Sequence, residues 1–285
     1  MKNKKKIAAL IIWYNPLIKY LENIKSLSEN VDKIFIVDNS EERPIKLIEK
    51  LSKDEKINYH FFGNNRGIGY ALNFGIKKAM NEDFEYILTL DQDSIINKLS
   101  LNHLIKILEE NKNCAFSCPF IINKYFTKKP QVGKQYDVNV AMTSGSLLNL
   151  NIHRKIGDFN NDFFIDYVDT DYCLRVKEKG FRIILTEDAQ LFHNEANIKE
   201  ISLFGSKFYP YNHAPFRFYY KTRNLLYMRS KYLPKNYKMI KREEKVFLKT
   251  LLKALLFEKN RIQKLRMALK GVNDYRKRII GRAEF

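Results

Sequence analysis

Four apolar runs near the start of the chain, each closing on a polar cluster, constrain its fold more than any other feature. "IAALIIW" (7–13) ends at Tyr14-Asn15, "KIFIV" (33–37) at Asp38-Asn39, "INYHFF" (57–62) at Gly63-Asn64-Asn65, and "YILTL" (86–90) at Asp91. Near-continuous apolar runs read as strands covered on both faces, the habit of parallel sheets. Helical patterns lie between them. Leu17, Leu21, Ile24 and Leu27 recur at helical spacing after Pro16, and further helical segments cover about 66–80 and about 99–111, before "AFSCPFII" (115–122). Strands alternating with helices predict βαβ units with right-handed crossovers. Ligands of such sheets bind beyond the carboxyl ends of the strands. The clusters at those ends therefore point Asn15, Asp38, Asn65, Asp91 and Asp93 toward one crevice.

The stretch "LTLDQDS" (88–94) sets two carboxylates where a core strand surfaces. Carboxylates are costly to desolvate, so the pair points to a cation. Two carboxylates suit a divalent ion that also takes oxygens from a bound phosphate. "NNRGIGYALNFG" (64–75) lacks the third glycine of the dinucleotide fingerprint and the lysine of the Walker loop. Its backbone can still approach a ligand closely. Together the two segments suggest a metal-bridged diphosphate. A second acidic cluster, Asp166, Asp169 and Asp171, precedes a helical pattern that stops at Gly180. Two readings stand for it: favourable negative charge at a helix amino end, or a general base in a pocket.

Charge divides the chain. Residues 229–285 carry 18 Lys/Arg against 5 Asp/Glu, so +13 of the net +19 lies there. The expected organisation is a catalytic domain over 1–228 and a basic helical region over 229–285. Within 238–257, Lys238, Lys241, Arg242, Lys245, Lys249 and Lys253 share one helical face, and Phe247, Leu248, Leu251, Leu252, Leu255 and Leu256 occupy much of the rest. Such a helix reads as a membrane-surface element on an anionic leaflet. The other reading packs it on the catalytic domain or on a second copy of the chain in a homodimer. A nucleic-acid partner is excluded, because Asp38, Asp91, Asp93 and Asp169 would repel phosphate without a metal. Cys114, Cys118 and Cys173 are too few for a disulfide framework and lack the partners of a zinc site. The run 7–13 is too short for a signal peptide, and no window approaches the ~20 apolar residues of a membrane span. The expectation is a cytoplasmic protein, peripheral on the inner face of the plasma membrane.

The order of "WYNP", "VDNS", "NNRGIGYALNFGI", "LTLDQDS", "TSGSLLNL" (143–150), "IGDFNNDFFIDYVDTDYCLRV" and "LFHNEA" (191–196) resembles the family-two inverting glycosyltransferases, in particular their bacterial rhamnosyltransferase branch. "FIDYVDTDYCLR" is similar to that branch's F-I-D-Y-V-D-x-E-W-C-x-R pattern, with Asp171 in place of its Glu. Many members of the family read Glu-Asp where this chain has Val168-Asp169. The resemblance spans residues 7–228 or so. It implies a GT-A fold, α/β with a Rossmann-like, mostly parallel sheet flanked by helices, here with a C-terminal helical appendage. It implies a nucleotide-sugar donor, dTDP- or UDP-linked, a saccharide or lipid-linked acceptor, and Mg2+ or Mn2+. It places Asp38 against the nucleobase, Tyr14, Asn65, Gly67 and Asn73 around the nucleotide, and Asp91 on the ribose. Asp93 and His193 fall to the metal, and Arg223 to the diphosphate. Thr143, Ser144, Gly145, Ser146 and Asp166 fall to the acceptor side, and Asp169 to the catalytic base. The implied reaction is L-rhamnose transfer from dTDP-rhamnose in cell-surface polysaccharide synthesis. UDP-hexose or UDP-N-acetylhexosamine transfer, and a non-catalytic nucleotide-sugar-binding scaffold, are the alternatives.

Overall fold

The computed structural model describes residues 5–122, 129–192, 200–203 and 206–285. The chain packs as two compact units, residues 1–160 with 169–194, and residues 161–168 with 195–285.

In the first unit the order is β1 (Ile7–Trp13), α1 (Leu21–Ser28), β2 (Lys33–Asp38), α2 (Ile45–Leu51), β3 (Ile57–Phe61), α3 (Ile68–Asn81), β4 (Tyr86–Asp91), β5 (Ile95–Ile96), α4 (Lys98–Glu110), β6 (Cys114–Ile122), β7 (Gln135–Asp137), β8 (Leu147–Asn149), α5 (Leu150–Ile156), α6 (Val168–Glu178) and β9 (Arg182–Phe192). The strands form one mixed sheet in the order β3-β2-β1-β4-β8-β6-β9-β5, with β7 also on β9. The β1–β2, β2–β3, β1–β4 and β6–β9 pairs are parallel. The short β8 runs antiparallel to both β4 and β6. It can do so because the chain reverses at Gly145, whose φ is +81°, beside a turn bond from Ser146 N–H to Thr143 O.

The alternation along β1 decides its two faces. Ile7, Ala9, Ile11 and Trp13 join Ile24, Leu27, Leu104 and Leu108 of α1 and α4 in one buried core. Burying each large aliphatic side chain contributes ~1.5–3 kcal/mol. On the opposite face α3 comes close: a Cβ at Gly75 would overlap the Leu10 side chain. Register then levels the strand ends, with Trp13 opposite Asp38 and Ile12 opposite Asp91.

The second unit holds the hairpin β10 (Ile201–Leu203) and β11 (Ser206–Phe208), and the helices α7 (Pro215–Tyr232), α8 (Tyr237–Phe257) and α9 (Arg261–Arg276). The boundary expected at residue 228 falls inside α7. Gly271 of α9 lies so close to α7 that a Cβ there would meet the Tyr219 carbonyl oxygen at 2.5 Å. Segment 161–168 belongs to this unit, and α7 clamps it. Asn224 Nδ2 donates to the carbonyls of Phe163, Ile165 and Asp166 at 2.8, 2.9 and 3.1 Å. Three residues of the segment, Phe164, Asp166 and Tyr167, have φ of +61°, +64° and +65° without being glycine. Each such residue costs roughly 1–2 kcal/mol, and the clamp offsets that cost. Among the described residues no helix is long and apolar enough to cross a membrane.

Candidate active site

The polar lattice begins at the strand ends of the first unit. Gln92, the middle residue of Asp-Gln-Asp, ties β4 to β1: its Oε1 accepts from Tyr14 N–H at 3.0 Å and its Nε2 donates to Tyr14 O at 3.1 Å. The Tyr14 side chain stays about half exposed, at 47%. Ser40 Oγ accepts from Asn15 N–H, fixing the turn after β1 to the turn after β2. Sequence reasoning missed Gln92 and Ser40. The signal for Gln92 was its place between two site carboxylates.

Asp38 ends β2 fully buried. Its carboxylate accepts from Ser40 N–H at 2.9 Å and from the Tyr59 hydroxyl at 2.7 Å. Burial, and then the bond to Asp38, push the Tyr59 phenol far up, so Tyr59 remains a donor throughout the working range. Asp38 thus ties the end of β2 to β3 and to the turn that follows it. Asn65 Oδ1 accepts from Gly67 N–H, and Gly67, at φ +87°, opens α3. That conformation suits glycine, and the Gly67 backbone is buried there, its carbonyl accepting from Asn39 Nδ2 at 3.2 Å. Asn73 sits deeper. Its carboxamide makes two bonds with the Phe159 backbone, donating to O at 2.9 Å and accepting from N–H at 2.7 Å. Its amide therefore anchors the loop after α5.

Asp91 and Asp93 are both partly exposed at the end of β4. Asp93 lies near Tyr20, whose phenol is raised by burial and then by the Asp93 charge. Ser144 holds this turn from across the sheet. Its Oγ accepts from Asp91 N–H at 2.9 Å and pairs with Ser94 Oγ at 2.8 Å. The neighbouring Thr143 faces the other acid. Thr143 Oγ1 donates to Asp169 at 3.0 Å, and Thr143 N–H donates to the second oxygen at 3.3 Å. Two consecutive residues thereby join the Asp91–Asp93 turn to the first turn of α6. Thr89 locks them from β4, its Oγ1 donating to Thr143 O at 2.5 Å. Ser146 is buried and donates to Met142 O.

Asp169 lines a cavity of about 440 Å³ with Ser144, Met142, Ala141, Pro119 and Phe120. The wall is mostly apolar, which fits a carboxylate placed to take a proton from a bound hydroxyl. Asp171 turns away, fully buried, and accepts from Arg175 Nε at 2.9 Å. Arg175 in turn reaches the carbonyls of Ile156 and Asp158, so this pair braces α6 on the loop after α5.

Two expected site residues belong to the second unit, where each is held by its own set of bonds. Arg223 is fully buried. Its guanidinium donates to Gly281 O at 2.8 Å and Asp162 O at 3.1 Å, and its Nε to Asn224 Oδ1 at 3.0 Å. This is the wiring of a structural arginine. Asp166 accepts a fork from Arg217, at 2.7 and 2.6 Å, and pairs with Lys221 at 2.9 Å. Burial acts to raise its pKa, but Lys221 and Arg217 outweigh that and hold it at about 2. His193 lies outside the described residues.

For a divalent cation, the described residues supply the Asp91–Asp93 pair and no group of three His, Cys, Asp or Glu. That donor set fits an ion whose remaining oxygens come from substrate phosphates.

Residues 10–172 match the family described as Glycosyl transferase family 2. The dTDP-rhamnosyl transferase RfbF of Shigella flexneri is 30% identical over 250 residues, covering 80% of this chain and 81% of that protein. The low-salt glycan biosynthesis hexosyltransferase Agl10 of Haloferax volcanii is 24% identical over 197 residues, covering 61% of this chain and 63% of that protein. Among solved structures, S. aureus TarS 1-349 in complex with UDP-GlcNAc superposes with a TM-score of 0.58 at 14% identity, covering 96% of this chain and 81% of that one. GalNAc-T7 with UDP, GalNAc and Mn2+ gives 0.55 at 10% identity, covering 70% of this chain and 44% of that one. At such identities the likeness shows the fold, which is GT-A.

Proposed function

The chain belongs to glycosyl transferase family 2, and from that premise we propose that it transfers L-rhamnose from dTDP-rhamnose, with inversion, to a hydroxyl of a saccharide. The likeness to a dTDP-rhamnosyl transferase across four-fifths of the chain supports the donor. The observation that carries the chemistry is the Thr143–Ser144 link, which couples the carboxylate lining the cavity to the turn bearing Asp91 and Asp93.

In this reading the nucleotide lies over the β1, β2 and β4 ends, against Tyr14 and the Asn65–Gly67 turn. Asp91 takes the ribose. Asp93 holds Mg2+ or Mn2+, which when bound supplies Lewis-acid stabilisation of the departing diphosphate. Asp169, oriented by Thr143, accepts the proton of the acceptor hydroxyl. That oxygen bonds to the anomeric carbon from the face opposite the diphosphate, and the carbon–diphosphate bond breaks. One displacement inverts the configuration. Base assistance of this kind contributes roughly 10²–10⁴-fold. The acceptor is a growing cell-surface saccharide, free or lipid-linked. A lipid-linked acceptor puts the enzyme on the inner face of the plasma membrane.

A thermal-shift panel of dTDP-rhamnose and UDP-sugars, with and without Mn2+, tests the donor. A ligand that binds only the folded state raises the melting temperature by mass action. dTDP-rhamnose with Mn2+ gives the largest rise in this account. A larger rise with a UDP-hexose reassigns the donor.

A further inference from the structure

Helix α8 is apolar over a wider arc than its packing uses. Ile240 and Ala254 are buried, and Phe247 and Leu251 pack with Phe218, Met267 and Ala268 of α7 and α9. One stripe is thereby covered. A second stripe, Leu248, Leu252 and Leu256, recurs every four residues and stands 56%, 50% and 63% exposed. Helix α9 repeats the pattern at Ile262, Leu265 and Leu269, exposed by 71%, 40% and 60%. Side chains this large, in rows, mark an interaction surface.

The charges beside the rows are sorted by sign. Every acid of α8, of α9 and of the turn between them is partly or fully buried. Glu243 is half-buried, Glu244 pairs with Lys241 and Arg229, Glu258 is buried against Lys264, and Asp274 is buried against Lys270 and Tyr219. What faces outward is cationic: Lys245, Lys249, Arg261 and Arg266 are exposed, and Lys253 is partly so.

We infer that the exposed leucine row of α8, extended by the row on α9, docks the second unit on an anionic lipid bilayer. The alternative occupant, a second copy of the chain, meets a physical objection. In a two-fold interface the same patch faces itself, and this patch would set its cations against cations. An anionic headgroup layer neutralises them while the leucines enter the acyl boundary. Packing within the unit, the other reading open from the sequence, accounts for the covered stripe alone. The inference stands apart from the choice of donor sugar and of catalytic base.

Co-sedimentation of the full chain with vesicles tests it, in the absence of nucleotide sugar. The vesicles are phosphatidylcholine alone, and phosphatidylcholine mixed with phosphatidylglycerol. Wild type should sediment with the mixed vesicles and stay in solution with phosphatidylcholine alone. Leu252→Ser with Leu256→Ser, and separately Lys245→Gln with Lys249→Gln, should each weaken partitioning by about tenfold or more, with circular dichroism and solution mass unchanged. Both sets lie on exposed positions, so folding is spared. Equal sedimentation of wild type and both variants, or equal binding to the two vesicle types, overturns the inference. A wild-type dimer that the leucine variant splits, with no vesicle binding, also overturns it and assigns the face to a second copy.

Discussion

Thr143 gives both of its hydrogen-bond donors to Asp169, Oγ1–H at 3.0 Å and the backbone N–H at 3.3 Å, across 26 residues of sequence. The bonds fix the carboxylate at the cavity wall before any substrate arrives. Thr143→Val keeps the size and the backbone bond and removes the hydroxyl donor. A hydrogen bond to a charged group is worth about 1.5–3 kcal/mol, so kcat should fall by roughly ten- to a hundredfold, with the donor KM unchanged and Thr143→Ser restoring most of the rate. Steady-state kinetics on the three proteins checks this. Equal kcat in wild type and Thr143→Val means that Asp169 is oriented by something else.

How much of this could be read from the residues alone varies with distance along the chain. Strand β1 occupies the seven apolar residues that mark it, and α3 and α4 begin and end within two residues of their periodic patterns. Local burial and local period decide such elements. Strand β8 has three residues, too few to show alternation, so an antiparallel strand between β4 and β6 in a mixed sheet is illegible in the sequence. The Thr143–Asp169 and Ser144–Asp91 bonds join segments brought together by the sheet alone. Only the family resemblance places Arg223 on the diphosphate; nothing in the sequence around it shows the buried bonds it makes. Its burial depends on Gly281 returning to α7 from the far end of the chain. Phe164, Asp166 and Tyr167 adopt left-handed backbone with no glycine to announce it.

Gly145→Ala should destabilise the first unit. The backbone there has φ +81°, and a Cβ would meet Leu191 Cδ2 at 2.7 Å and Pro119 Cγ at 3.0 Å. Left-handed strain and overpacking together cost roughly 2–4 kcal/mol. Urea denaturation reads the loss, and a midpoint equal to wild type contradicts the turn's role.

Arg223→Met distinguishes a structural arginine from a diphosphate ligand. Removing the guanidinium takes a charged donor from the carbonyls of Gly281 and Asp162 and from the buried Asn224 carboxamide. Hydrogen bonds from a charged donor contribute about 1.5–3 kcal/mol, so the variant should lose about that much stability. A variant that melts like wild type yet loses donor affinity returns Arg223 to the diphosphate.

Asp166 makes stability depend on acid pH. Its folded pKa, about 2, lies below the ordinary 3.8. A depressed carboxylate contributes stability that is complete above about pH 4 and is lost as pH falls through about 2; the amount is about 2 kcal/mol. Asp166→Asn leaves Arg217 and Lys221 facing a neutral amide. Their side chains keep 29% and 21% exposure, so the cost at neutral pH should be about 2–3 kcal/mol, less than for a fully buried pair. Denaturation of both proteins at pH 7 and near pH 2.5 should show the gap narrowing in acid. A gap that is constant or grows contradicts the ion triad.

Asp169→Asn offers the most direct measurement. The amide keeps the shape and can still accept from Thr143, but it cannot take up the acceptor proton. Transfer from the donor that the thermal-shift panel selects should fall by roughly 10²–10⁴-fold, while that donor's dissociation constant, measured by calorimetry with Mn2+, stays within about threefold, well under the ~1.4 kcal/mol of a tenfold change. Turnover of the Asn variant within a few-fold of wild type would contradict the account at its centre.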